Sequence, residues 1–239
     1  VTDNSFGRLA GALVSPGSTF ESISKKPTWL VALLVLMLSA GALGLVVHEK
    51  TNYQEVTTRA LEARGRLGTM SGEQVDQVVE MQERFGAVGA GVGALVAGIL
   101  YCVIAVFYWM VFRLMGSELT YKQSLATYVY GSLPMVLYVA LAILVLSGRG
   151  ELSYEEITAR DFLASHLGFL APAGSGLVLR SFLTGIDFFA LWSVVLLAIG
   201  YRIVARVSAT TAGVVVTLFY LVSLGVRVGF TWLGAGGAG

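Results

Sequence analysis

Five times along this chain the mixture of polar and apolar positions gives way to a long, almost purely apolar run. A bilayer core of about 30 Å takes about twenty helical residues to cross. Inside it every backbone N–H and C=O must be paired within the segment, so the runs predict membrane-spanning helices over 29–47, 86–112, 124–147, 182–200 and 212–233. The first three carry no charge, the fourth holds Asp187 and the fifth Arg227. Pro134 predicts a kink in the third span, because it removes one backbone donor and crowds the preceding turn. An odd number of spans places the flanking segments on opposite faces.

Between the spans the pattern changes period. In residues 1–28, Ser15 and Pro16 are suited to open a helix, Lys25, Lys26 and Pro27 to close it, and Phe20 and Ile23 share one face. With a span following at once, this predicts an amphipathic helix lying in the membrane interface. Phe6, Leu9 and Leu13 form a second, smaller stripe. The loops 48–85 and 148–181 each contain a capping box, Ser71 with Gln74 and Ser153 with Glu156, and so predict short helices over the outer face of the bundle. "APAGSG" at 171–176 reads as a flexible link, and 234–239 as a Gly-rich tail. The fold class is therefore all-α integral membrane. It is a five-transmembrane-helix bundle over 29–233, with amphipathic interfacial and loop helices.

Composition agrees, with 56% hydrophobic and only 13% charged residues, against about a quarter charged in soluble domains. A net charge of +1 makes no case for a nucleic-acid partner. Cys102 is the sole cysteine, so no internal disulfide forms. Arginine outnumbers lysine twelve to four in a Gly- and Ala-rich chain, a pattern that suggests a GC-rich bacterial genome. Basic residues are denser in 1–28, 113–123 and 201–211 than in the other loops. The positive-inside tendency then predicts a bacterial cytoplasmic membrane protein with a cytoplasmic N-terminus and an extracytoplasmic C-terminus.

Span two carries Gly89, Gly93 and Ala97 at four-residue spacing. Small residues so placed let helix backbones approach closely, either within the bundle or against another copy or another membrane protein. The two intramembrane charges call for partners. Asp187 and Arg227 each lie about six residues in from the outer end of their span, about 8–9 Å deep. Adjacent antiparallel spans would bring them to one level, which predicts an Asp187–Arg227 ion pair, or Asp187 with Arg180, helped by Thr184 or Tyr220. Such a pair either locks the helices in register or lines a proton or cation path. His48 and His166 stand alone, and no nucleophile has a base and orienter at a recognisable spacing. No catalytic, metal or cofactor-binding residues are expected.

Three ordered stretches carry a family resemblance. Asp187, Phe189, Leu191, Trp192 and Ser193 are followed by Leu196 and Gly200; Pro16, Phe20 and Ile23 precede Pro27 and Trp29; and "TYKQSLATYVYGSLP" contains Tyr121, Gln123, Leu125, Tyr128 and Pro134. Together they resemble the bacterial branch of the Yip (Ypt-interacting protein) domain family. The resemblance implies a five-helix bundle with a cytoplasmic N-terminus. Eukaryotic relatives interact with small GTPases, but the "DLYGP" element typical of them has no match here, so that role is not expected. Some bacterial relatives accompany efflux-type ABC transporters. This implies an accessory subunit that binds other membrane proteins, ABC transporter subunits foremost. The alternatives are a small oligomeric transporter or channel using Asp187, and a membrane-shaping protein using its N-terminal helix.

Overall fold

The computed structural model describes residues 5–172 and 174–234, so the tail 235–239 and Ala173 of the Gly-rich link lie outside the described residues. Among the described residues every regular element is a helix: α1 (Ser5–Val14), α2 (Pro16–Lys25), α3 (Leu30–Lys50), α4 (Tyr53–Ala63), α5 (Gly72–Leu114), α6 (Tyr121–Gly131), α7 (Pro134–Ser147), α8 (Tyr154–Ala159), α9 (Leu177–Gly185), α10 (Phe188–Val204) and α11 (Ala209–Gly234). Four helical segments are long and apolar enough to cross a membrane: α3, α5, α6 with α7, and α11. The fifth apolar helix, α10, has 17 residues, about 25 Å at 1.5 Å per residue. The chain is a multi-pass, all-α membrane protein.

Three boundaries differ from the sequence expectation. The helix announced by Ser71 and Gln74 does not stop before span two; it runs on as the single 43-residue α5. No Pro interrupts 72–114, and "EQVDQVVEMQERF" favours helix throughout, so the helix extends well beyond an apolar core. Span three is interrupted for two residues just before its proline: α6 ends at Gly131, Ser132 caps it, and Pro134 opens α7, where its missing N–H costs nothing. Span four is divided too, with α9 and α10 separated by Ile186 and Asp187.

The chain sorts into two compact units. One gathers the stretches up to Ala40, Gly93–Val139 and Phe189–Leu221; the other gathers Gly41–Val92, Ala140–Phe188 and the stretch from Val222.

The first unit is built around aromatic rings. Tyr108 stacks on Tyr201 at 4.6 Å and also meets Phe219 at 4.3 Å, while Phe112 stacks on Tyr201 at 4.9 Å. Tyr201 is fully buried, and its hydroxyl lies 3.1 Å from Ser124 Oγ, which donates to the Ala105 carbonyl at 2.8 Å. A buried phenol needs such a partner. α2 packs into this core. Phe20 and Ile23 are fully buried, and a Cβ placed on Gly200 would stand 2.9 Å from Phe20 Cε1 and 2.7 Å from Thr127 Cγ2. Gln123 completes a capping box with Thr120 at the start of α6, and its Nε2 donates to the Ser24 carbonyl at 2.8 Å.

In the second unit, Leu152 N–H donates to the Lys50 carbonyl at 2.8 Å and Asn52 Nδ2 to Glu151 at 2.9 Å. These bonds hold the start of α4 to the connection before α8. Ser153 and Glu156 form the expected capping box, and Arg149 pairs with Glu156.

Candidate functional site

The densest polar cluster lies in the second unit, where α9 gives way to α10. Two backbone bonds stitch the break: Leu167 N–H donates to the Ile186 carbonyl at 3.2 Å and Phe188 N–H to the Ser165 carbonyl at 2.9 Å. They supply partners that a broken helix cannot supply to itself. Asp187 is 6% exposed and accepts a hydrogen bond from Ser165 Oγ. It immediately precedes α10, and a negative charge is favoured beside a helix N-terminus. Asp187 thus stands in a chain break rather than one turn and a half inside a continuous helix.

Arg227 reaches the same neighbourhood from α11. Its Nη2 donates to the Ala159 carbonyl at 2.6 Å and to Thr184 Oγ1 at 2.7 Å, and Thr184 Oγ1 donates to Ala159 at 2.8 Å. Its Nη1 lies 3.7 Å from where a Cβ on Gly185 would stand, two residues before Asp187. Ala159 is the last residue of α8, and Arg160 beyond it has φ 54°, in the left-handed region. The guanidinium therefore covers a helix-terminal carbonyl, the place a cation favours.

Arg180, the alternative partner for Asp187, is held by Asp161, through Nε at 3.0 Å and through Nη2. His166 joins the same carboxylate, with Nε2 3.0 Å from Asp161 Oδ1. Its Nδ1 accepts the Gly168 N–H at 3.0 Å, so the proton of the neutral ring sits on Nε2. The hydrogen bond from His166 comes first, and the Arg180 guanidinium adds to it against the cost of burial; together they hold the Asp161 carboxyl down at about 2. Neither Asp161 nor His166 was singled out from sequence as part of this cluster, because the partners lie in different loop segments with no recurring spacing.

A second cluster, in the first unit, was also missed. Arg8 of α1 is 1% exposed. Its Nη1 donates to the Lys26 carbonyl at 2.7 Å and to Thr28 Oγ1 at 2.8 Å, and its Nη2 to Ser22 Oγ at 2.6 Å. The one signal was a single charge in an otherwise apolar ten-residue stripe. With Phe20 and Ile23 covered by protein, the α2 stripe cannot be the one that meets lipid. This corrects the interfacial reading of those two residues: the apolar face lies against α6 and α10 instead of the bilayer interface.

The small-residue face divides as well. Gly44 and Ala90 touch in the second unit, where a Cβ on Gly44 would be 3.0 Å from Ala90 Cβ. In the first unit Gly98 meets Met37, 2.6 Å from the sulfur by the same measure. Gly89 and Gly93 are exposed, with nothing within 4 Å of a built Cβ, and Ala97 is half-buried.

The family-like residues are those that shape this packing. Phe189 is buried and meets Tyr138 edge-on at 5.9 Å, Ser193 Oγ bonds back to the Phe189 carbonyl, and Gly200 makes room for Phe20. Trp192 is half-buried. Among the described residues no group of three His, Cys, Asp or Glu side chains is placed to hold a metal. The arrangement is suited to joining helices and holding a break, through groups that satisfy one another.

The family model described as Yip1 domain matches residues 10–230. The chain is similar to the membrane protein YknW of Bacillus subtilis (strain 168), with 28% identity over 193 residues, covering 80% of this chain and 76% of the relative. No solved structure matches significantly.

Proposed function

The chain belongs to the Yip1 domain family, and we propose that it is a non-enzymatic accessory subunit that binds other membrane proteins in a bacterial cytoplasmic membrane, an ABC-type exporter being the foremost partner. The observation that carries this reading is the division of labour along α5. Its contacts with α3 use Ala90 and Gly98, whereas Gly89 and Gly93 are left uncovered. A further transmembrane helix could approach the α5 backbone closely there. In this reading Asp187 and Arg227 form a structural ion pair that secures the α9–α10 break, which fits the approach of Arg227 to Thr184 and Gly185. The distribution of charge supports a cytoplasmic N-terminus: Lys25, Lys26, Arg113, Lys122, Arg202 and Arg206 are exposed in the first unit, against Glu21 and Glu118 among its described residues.

A transporter or channel is the second reading, favoured by the two broken spans, since discontinuous helices are frequent at transport sites. Mild extraction from the native membrane, followed by mass spectrometry of what remains bound, separates the two. An ABC permease and ATPase in stoichiometric yield are expected from the accessory reading. A homo-oligomer alone, with flux lost in a folded Asp187→Asn variant, would favour the transporter.

A further inference from the structure

α1 is inside out by the standard of a water-facing helix. Its one charged side chain, Arg8, is 1% exposed, while Phe6 is 71% and Val14 79% exposed. Phe6, Ala10 and Val14 follow one another at four-residue spacing, so they form one line along the outward side, and Ala10 is exposed as well. α2, which packs beside it, has the ordinary arrangement: Ser18, Glu21 and Lys25 point outward and Phe20 and Ile23 inward. Water therefore suits the outer face of α2 and not that of α1.

The position of α1 supplies the occupant. Arg8 donates to the Lys26 carbonyl and to Thr28 Oγ1, both within the short connection that leads into the spanning helix α3 at Leu30. α1 is thus pinned to the residues that stand at the membrane boundary. Lys25 and Lys26, exposed at that same connection, are suited to lipid phosphates. Trp29 follows them as an interfacial ring.

We infer that α1 lies in the headgroup and acyl-chain boundary of the membrane that α3 crosses, with Phe6, Ala10 and Val14 inserted and an anionic lipid surface as its binding partner. The buried Arg8 is a positioning residue here: it fixes the depth and face of α1 and leaves lipid phosphates to the lysines. This makes α1 a peripheral anchor beside the spans, independent of any protein partner.

The test uses the full chain in a Cys102→Ser background whose thermal stability is first shown to be unchanged. An environment-sensitive fluorophore is attached at Val14→Cys and, separately, at Ser18→Cys. Each is reconstituted into phosphatidylcholine vesicles with and without phosphatidylglycerol. The expected result is blue-shifted emission from the Val14 position, quenched by lipids brominated high on their chains and more strongly with phosphatidylglycerol. The Ser18 position should stay accessible to aqueous iodide. A Val14 label reached by iodide and not by brominated lipid overturns the inference. So does one shielded from both, which would mean that a second copy covers the face, or one indifferent to phosphatidylglycerol. An unlabelled control guards against perturbation by the dye: Val14→Glu should raise hydrogen exchange in α1 in anionic vesicles while leaving it unchanged in detergent. No rise in vesicles would equally overturn the proposal.

Discussion

Arg227 Nη2 donates to the carbonyl of Ala159 at 2.6 Å, joining the late part of α11 to the end of α8. The bond is charge-assisted and covers a carbonyl that α8 cannot pair internally. The same nitrogen holds Thr184 Oγ1, so one guanidinium gathers α8, α9 and α11.

Arg227→Met should therefore destabilise the protein by about 2 kcal/mol, the usual cost of losing hydrogen bonds from a charged donor. Thermal unfolding in detergent would register a lower Tm, and hydrogen exchange should rise first at Ala159 and Thr184. Unchanged exchange there would mean that the guanidinium does not hold the α8–α9 segment.

Gly200 offers a test of the first unit. Alanine there would press its Cβ toward Thr127 Cγ2, 2.7 Å away, and Phe20 Cε1, 2.9 Å away. Overpacking of this kind costs about 1–3 kcal/mol. Thr127→Ser removes the nearest methyl and keeps the hydroxyl bond to the Gln123 carbonyl. The Gly200→Ala, Thr127→Ser double variant should then be more stable than the two single losses add up to. Strict additivity of the unfolding energies would locate the strain elsewhere.

Gly89 and Gly93 should behave in the opposite way. With nothing within 4 Å of either built Cβ, Gly89→Leu with Gly93→Leu should alter the stability of the isolated chain by no more than about 0.5 kcal/mol, as for other uncontacted surface positions. The same variant should lose its co-purifying membrane proteins. Retention of the full set of partners would move the binding face off this side of α5.

Acid should open the segment around Asp161. Its folded pKa, about 2, lies below the unfolded value of about 3.9. The carboxylate's contribution is therefore complete above about pH 4 and is lost as pH falls through about 2. Hydrogen exchange at Gly168 and in α9 should accelerate across that window. Asp161→Asn should exchange faster at neutral pH and lose most of the acid step; a variant that keeps the full step would assign it to another carboxylate.

The apolar runs were enough to place four spanning segments, a shorter apolar helix and the all-helical class, because in hydrocarbon the backbone has few ways to pair its polar groups and helix length follows from bilayer thickness. Local chemistry was legible for the same kind of reason. The capping boxes at Ser71–Gln74 and Ser153–Glu156 need only three residues of separation to form. The order Phe20, Gln123, Phe189, Gly200 carried the family resemblance before any contact was visible.

Tertiary structure decided which way amphipathic faces turn and where a helix breaks. Periodicity placed Phe20 with Ile23, but only the folded chain buries both, with Gly200 set against the Phe20 ring, so that protein and not lipid is the cover. A lone arginine among apolar residues reads the same whether its head reaches out or in, and Arg8 turns in because Lys26, Thr28 and Ser22 offer acceptors 14 to 20 residues away. The break at Ile186–Asp187 is possible because Ser165 and Leu167, about twenty residues earlier, supply the missing backbone partners. Partners so far apart in sequence leave no local period, so only the folded chain can bring them together.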